Sequence, residues 1–463
     1  MEHALQLDKD LTARYDKLGP RYTSYPTAMQ FHESFRGEQF LENAQLSNEY
    51  LIPSPLSLYF HLPFCSKVCY YCACHRIITN NRAHTIPYLE HLKQEIVLHS
   101  RIFDKDRIVK QVHWGGGTPT YFSQDQMQDL MQAIRSNFTL AGDAEGDFSI
   151  EVDPRTTDAQ TIALLREIGF NRISLGVQDF NPEVQRAVNR IQSVERTAEV
   201  VTASREHGFK SLSMDLIYGL PLQSVRSFNK TLETVIEMDP DRLSVFNFAH
   251  LPQRFKMQRR IKKSDLPSAE EKLDMLGNII DILTGAGYVY IGMDHFAKPD
   301  DELALAQKSG TMCRNFQGYS THGDCDIIGM GITAISKVSD CYAQNLYGID
   351  EYQDIIRDGH LAIFRGVRLD RDDQVRRDVI MQLICNFKVN FEEIEDRHRI
   401  DFEEYFYNEL ELLKGMEEDG LLTSDLEQIA VSPTGRLLIR NICSVFDKYL
   451  RQEHNQSSYS KVI

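Results

Sequence analysis

The sequence predicts an α/β fold: a partial (β/α)6 barrel with an N-terminal arm and a C-terminal, mostly helical domain. Three observations predict it. Short apolar runs alternate with segments whose apolar residues recur at helical spacing, six times between residues 56 and 248, and that rhythm builds a parallel sheet clothed in helices. Beyond about residue 369 the pattern turns almost wholly helical. The chain has 463 residues, more than one core supports at roughly 150 residues per domain, so two or three units are expected.

Residues 1–50 are polar and irregular, yet Pro20, Tyr22, Tyr25 and Pro26 punctuate them. Tyrosines and prolines together fit an ordered arm docked on the body better than a free tail. A strand over 56–62 begins the rhythm, and a cysteine-rich loop follows it. Leu89, Leu92, Ile96 and Val97 then mark a helix over 87–103. A strand at 112–114 runs into Gly115, Gly116 and Gly117, and Met127, Leu130, Met131 and Ile134 mark the next helix. A strand over 148–154 ends in acids and leads to a helix over 158–168. The strand at 172–178 precedes helical patterns at 182–188 and 194–207. Strand 211–217 precedes helix 224–238, and 242–248 is the sixth strand. No literal sequence repeat accompanies this alternation.

Residues 252–366 are less regular, with a basic run (Arg254, Arg259, Arg260, Lys262, Lys263), a helix over 268–286 and a strand over 289–293. After residue 369 come helices over 372–384 and 401–417, a small strand pair within 421–431 and a closing helix, a winged-helix flavour. By analogy such a domain means nucleic acid, but Glu403, Glu404, Glu409, Glu411, Glu417, Glu418 and Asp419 speak against it. The expected division is an arm at 1–50, a main domain at 51–366 and a helical domain at 367–463.

A formal charge of -16 and a pI of about 5.4 exclude a general nucleic-acid or membrane-surface binder, whose footprint is basic. The first ten residues lack the basic and apolar regions of a signal peptide, and no apolar run approaches the ~18 residues of a membrane span. A soluble, cytoplasmic monomer is expected. Nine cysteines, an odd number in a large acidic chain, fit reduced thiols rather than a disulfide framework.

Chemistry concentrates in residues 65–74, where Cys65, Cys69, Cys72 and Cys74 are crowded together while the other five cysteines stand singly. Structural zinc sites draw short-spaced pairs from separate segments, and bacterial ferredoxins use a different spacing. A CxxxCxxC loop after the first strand of a barrel resembles the radical S-adenosylmethionine (SAM) enzymes. The resemblance implies a 4Fe-4S cluster on Cys65, Cys69 and Cys72: three thiolates leave one iron open for the amino and carboxylate groups of SAM. Reductive cleavage of SAM then yields methionine and a 5′-deoxyadenosyl radical. Gly115, Gly116 and Gly117, which alone would read as a tight turn, resemble the glycine motif whose backbone approaches the methionine part of the cofactor.

Within that superfamily the chain is similar, nearly end to end, to the family that converts coproporphyrinogen III in haem biosynthesis. Residues 21–27, 65–74, 113–121, 150–155, 176–180, 215–221, 244–252, 315–319, 329–331 and 436–443 carry the likeness. It implies oxidative decarboxylation of the ring A and B propionates to vinyl groups, giving protoporphyrinogen IX and two CO2. It also implies that Tyr59, Tyr71, Gly116, Glu151 and Ile335 surround a first SAM. Gly117, Thr118, Gln178, Arg190, Asp215 and Ala249 match positions around a second. Tyr71 stands where some members have Phe, and either ring stacks on adenine. Independently, Glu151 and Asp215 at strand ends suit ribose hydroxyls and Arg190 suits a carboxylate, although ion pairing at the barrel rim is the structural alternative.

Tyr59, His61, Cys74 and Glu151 are the expected catalytic residues. Cys74 completes a CxC ending that is absent from haem-chaperone relatives, and otherwise is a spare thiol. His61 is expected to donate to a cluster sulfur, the alternative being a satisfied buried histidine. Arg21 and the basic run are candidates for the substrate's propionates, although a charge run is usually a solvated face. The aromatic arm is expected to close over the macrocycle. The reaction also needs an electron donor and a final electron acceptor that the sequence does not identify. A haem chaperone of the same fold and a zinc or electron-carrier protein are the competing functions.

Overall fold

Leu56–Leu62 forms strand β1, and its alternation sets the pattern for the sheet. Leu56, Leu58, Phe60 and Leu62 are fully buried on one face, each contributing roughly 1.5–3 kcal/mol by burial, while Tyr59 and His61 share the other. The computed structural model describes residues 5, 7–16 and 19–452. It comprises two compact units, one of residues 30–268 and 324–368, the other of 269–323, 369–463 and the described part of 1–29.

In the larger unit, helix α1 (Gly37–Asn48) precedes β1, and α2 (Thr85–Ser100) follows the cysteine loop. Then come β2 (Val109–Gly116), α3 (Gln124–Asn137), β3 (Asp147–Val152) and α4 (Ala159–Glu167). Next are β4 (Arg172–Gln178), α5 (Pro182–Ala187), α6 (Val194–Glu206), β5 (Ser211–Tyr218), α7 (Val225–Glu237) and β6 (Arg242–Asn247). Helix starts are chemically specified. Ser123, Asp158, Ser193 and Ser224 each accept from a backbone N–H of the first turn of their helix, satisfying donors that the helix cannot.

Strands β1 to β6 lie side by side in chain order, all parallel, which is the expected partial (β/α)6 barrel. The β1 edge is extended by β7 (Asp326–Met330), parallel to β1, and then by an antiparallel meander of β8 (Ile335–Val338), β9 (Cys341–Asn345) and β10 (Ile363–Arg368). Helix α8 (Ile349–Arg357) connects the last two. Trp114, Ile150, Leu175, Met214 and Leu243 are buried, and His113, Ser149, Glu151, Ser174, Asp215 and Ser244 alternate with such residues along the strands. Period-two alternation thus gives the barrel an apolar helix-facing side and a polar inner side.

The smaller unit carries two hairpins, Val289–Gly292 with His295–Ala297 and Cys313–Asn315 with Gly318–Ser320. Its helices include Ala269–Gly285 and Arg371–Asn386. A three-stranded sheet orders Lys388–Asn390, Gln428–Val431 and Leu422–Ser424, one strand more than the expected pair. The single helix expected over 401–417 breaks at Phe406 into Phe402–Tyr405 and Tyr407–Glu418. Among the described residues no helix is long and apolar enough to cross a membrane.

The N-terminal segment differs from the expected single, irregular arm. Its first part belongs to the smaller unit, where Tyr22 and Tyr25 are fully buried. Tyr22 OH donates to Asp447 Oδ2 at 3.1 Å, Arg440 Nε to the Pro20 carbonyl at 2.9 Å and Asn441 Nδ2 to the Tyr15 carbonyl at 2.9 Å. Residues 30–50 belong to the larger unit: His32 bridges Gly366 and Phe31 stacks on Tyr342. Helix α1 had no sequence signal because its buried face mixes Phe40 and Ala44 with Asn43 and Ser47, leaving no apolar stripe. Residues 269–323 group with the C-terminal residues rather than with the barrel that precedes them.

Candidate active site

The cysteine loop leaves β1 through a two-residue strand, Phe64–Cys65, which pairs in parallel with Ile77–Ile78. Ile77 N–H donates to the Pro63 carbonyl at 2.7 Å and Thr79 N–H to the Cys65 carbonyl at 3.0 Å, so both ends of the loop are clamped. Its body is pinned from the opposite side of the barrel: Asn189 Nδ2 donates to the Val68 carbonyl at 2.7 Å, Tyr70 N–H to Val188 at 2.9 Å and Gln258 Nε2 to Tyr71 at 3.1 Å. Tyr70 and Tyr71 pack on a cluster of Val184, Val188, Leu220, Phe248 and Ile261. The loop is thereby fixed by packing before any ligand binds.

Cys65, Cys69, Cys72 and Cys74 are all free thiols, with Cys69 buried and Cys74 exposed. Cys65 Sγ lies 3.3 Å from Thr118 Oγ1, and burial pushes its thiol up to about 11. Cys74 donates to Cys72, which lowers the Cys72 thiol and raises that of Cys74: the pair holds one proton on Cys74. Arg155 Nη2 and Arg190 Nη1 approach Cys69 Sγ at 3.7 and 3.8 Å. Both guanidiniums are held by Asp153, Arg155 at 2.6 Å and Arg190 at 3.3 Å. Burial pushes the Asp153 carboxyl up, but Arg190 and Arg155 outweigh it and the group sits below its ordinary range. Asp153 and Arg155 are site residues that sequence reasoning did not single out; the signal was there in the polar alternation Ser149, Glu151, Asp153 running off the end of β3.

The glycine stretch closes the site from β2. Gly116 has φ +111° and a Cβ there would fall 2.6 Å from the His61 ring; a Cβ on Gly117 would fall 2.5 Å from the Pro63 backbone. Only glycine lets β2 end against the loop this closely. Gly116 N–H donates to Glu151 Oε2 at 3.1 Å, and His113 Nε2 faces Glu151 Oε1 at 3.5 Å. Burial raises the Glu151 carboxyl, yet the His113 contact and the Gly116 N–H hold it below its ordinary range. His113 also bonds Ser149 Oγ at 2.7 Å through Nδ1 and stacks on Tyr59 at 5.7 Å. One polar layer therefore runs Tyr59, His113, Ser149 across three strands, and His113 is a third residue the sequence did not reveal.

His61 departs from expectation. Its Nδ1 lies 3.0 Å from Tyr59 OH and its Nε2 2.9 Å from the His75 carbonyl. The carbonyl can only accept, so Nε2 carries the proton and Nδ1 accepts from Tyr59; no ring donor is left for a sulfur. Burial lowers its basicity to about 4, so the ring is neutral. Asp215 on β5 accepts from Ser174 Oγ at 3.1 Å, and burial pushes its carboxyl up to about 6. Gln178 ends β4 with φ 70°, a strained conformation of the kind that collects at functional sites. Ala249 follows β6 and offers its carbonyl to Gln258 at 3.2 Å, whereas Ile335 stands on β8 at the other edge of the arc.

Two expected substrate cations are already engaged. Arg21 pairs with Asp294 at 2.6 Å within the smaller unit. Arg260 lies over the Tyr70 ring at 5.2 Å. The remaining basic run is solvent-exposed, with Arg259 and Lys263 lining a pocket of about 470 Å³ beside His250 and Ile261.

The residues fit an iron–sulfur centre. The loop offers three thiols, two guanidiniums stand next to Cys69, and the glycines keep side-chain bulk away from the loop. Arg190 Nε is moreover a buried donor with no partner, which a ligand oxygen would satisfy.

Residues 59–235 match the radical SAM superfamily and residues 369–438 the HemN C-terminal domain. The chain is 51% identical over 463 residues to the oxygen-independent coproporphyrinogen III oxidase of Pseudomonas aeruginosa, covering 100% of both. It is 50% identical over 460 residues to that of Escherichia coli, covering 99% of each. Among solved structures it matches E. coli coproporphyrinogen III oxidase (HemN), described as a radical SAM enzyme, with a TM-score of 0.91 at 49% identity over 96% of this chain and 100% of that one.

Proposed function

The chain belongs to the oxygen-independent coproporphyrinogen III oxidases, a family of radical SAM enzymes, and from that premise we propose how its residues convert coproporphyrinogen III to protoporphyrinogen IX. The observation that carries the reading is the three-thiol loop clamped against Gly116 and Gly117, with Arg155 and Arg190 on Cys69.

Cys65, Cys69 and Cys72 would hold a 4Fe-4S cluster, and Tyr59, Tyr71, Gly116, Glu151 and Ile335 the SAM bound to it. When bound, these cofactors would supply the radical chemistry that removes a hydrogen atom from the propionate Cβ. Glu151, kept ionised by His113 and the Gly116 N–H, accepts a ribose hydroxyl. Gly117, Thr118, Gln178, Arg190, Asp215 and Ala249 would hold a second SAM, and the unpartnered Arg190 Nε would be available to a carboxylate there. The substrate radical then loses CO2, and one electron leaves to an acceptor of unknown identity, so no strong base is required. Orienting the propionate is the main task of the protein. Cys74 holds the proton of the thiol pair, leaving Cys72 free to ligate. A cytoplasmic monomer served by an external electron donor completes the reading.

The test is anaerobic incubation of reconstituted protein with coproporphyrinogen III, SAM and a reductant. Protoporphyrin after oxidation, two CO2 per macrocycle and 5′-deoxyadenosine are expected. Absence of both protoporphyrin and 5′-deoxyadenosine would refute it, and haem binding without turnover would favour a haem chaperone.

A further inference from the structure

We infer that the smaller unit holds a carboxylate site on Arg314, flanked by Arg21 and Arg440, that receives a propionate which the reaction leaves intact. The inference rests on the decarboxylase reading above and names where that substrate is recognised.

Arg314 lies on the hairpin Cys313–Asn315 and Gly318–Ser320, its guanidinium 4.5 Å over the Tyr319 ring. Its Nε and Nη1 are buried and have no partner, an arrangement that is costly unless a ligand completes it. The surroundings do not neutralise it. Arg440 spends its donors on backbone carbonyls of Gly19 and Pro20, and burial together with Arg21 pushes it down to about 10. Arg21 pairs with Asp294 at 2.6 Å. His295, edge-on to Tyr319 at 5.2 Å, is kept neutral by burial and by Arg314.

Arg21, Arg314 and the Asp294 carboxylate all act on Arg440, in a chain whose formal charge is -16. The excess is local and positive, with open N–H donors on a shielded cation. Charge-assisted hydrogen bonds of that kind favour a carboxylate. Coproporphyrinogen III brings four carboxylates and the reaction consumes two, so the remaining two need a seat that lasts through both turnovers. The carboxylate of SAM has the same chemistry, and the experiment separates the two sources.

Reconstituted full-length protein is titrated anaerobically with coproporphyrin III and with its tetramethyl ester, which lacks the carboxylates; SAM binding is measured by equilibrium dialysis. Arg314→Gln should weaken the tetra-acid by about 10- to 100-fold, leave the ester unchanged and bind SAM as wild type does. The unchanged ester affinity also shows that the variant is folded, and Arg314→Lys should retain part of the preference for the acid. Tetra-acid affinity within about twofold of wild type overturns the inference, as does a loss of SAM in place of porphyrin. Absence of turnover by the wild type would instead defeat the decarboxylase reading, so the two failures are distinguishable.

Discussion

Arg155 shows what a single residue adds to the site. Its Nη2 lies 3.7 Å from Cys69 Sγ while Nη2 and Nε also donate to Asp153. A cation beside a thiolate stabilises the more negative, reduced form of a cluster, since hydrogen bonds and charge at the sulfurs help set its potential. Arg155→Leu should therefore shift the reconstituted cluster to a more negative potential, measured by redox titration followed by electron paramagnetic resonance. About 60 mV corresponds to a tenfold change in a one-electron equilibrium. An unchanged potential would reduce Arg155 to a partner of Asp153. The motif residues themselves were legible in the sequence because four cysteines and three glycines at fixed spacing stand out. Asp153 showed only as part of the polar alternation along β3, and Arg155 and His113 were not legible, because an arginine and a histidine at strand ends acquire meaning only when the fold sets them beside a sulfur or Glu151.

At the scale of elements, backbone fit and a buried carboxylate hold the strand ends in place. The atoms nearest a Cβ on Gly117 would be backbone atoms of Pro63 and Phe64, at 2.5 to 2.8 Å, whereas one on Gly142 meets nothing within 4 Å. Gly117→Ala should weaken SAM binding by roughly 10- to 100-fold, and Gly142→Ala should not; equal behaviour in dialysis would contradict the close approach. The turn between β7 and β8 depends on Glu95 of α2. Its carboxyl accepts from Gly331 N–H, Tyr352 OH and Asn345 Nδ2, each at 2.7 Å. Burial nevertheless pushes it from 4.5 to about 7. Below pH 4.5 both folded and unfolded forms are protonated and the contribution is complete. As pH rises through about 7 the folded state must release a proton that the unfolded chain has already lost, and about 3 kcal/mol disappears across that window. Urea denaturation of the wild type and Glu95→Gln at pH 5 and pH 7.5 should show the wild type losing about 2 kcal/mol more between the two; parallel losses would place the Glu95 titration elsewhere.

For the whole molecule, the six barrel strands were legible because each alternates polar and apolar residues within one continuous run. The grouping of the two units was not, since the smaller one joins residues 269–323 and 369–463 to the N-terminal segment, and local periodicity carries no information on which distant stretches share a core. That grouping changes what the N-terminal residues are expected to do. Tyr22 and Tyr25 are core residues there, and Arg440 and Asn441 spend buried donors on the carbonyls of Gly19, Pro20 and Tyr15. Removing residues 1–30 would expose apolar surface and orphan those donors at once, so the truncated protein should lose the smaller unit's cooperative structure and not merely a cover over the substrate. Hydrogen exchange tests this on the intact chain. Amides of residues 20–26 with internal partners should open together with those of the helix Arg371–Asn386, because one core protects both. Exchange of residues 20–26 at tail-like rates, with that helix still protected, would return the segment to the role of a movable arm.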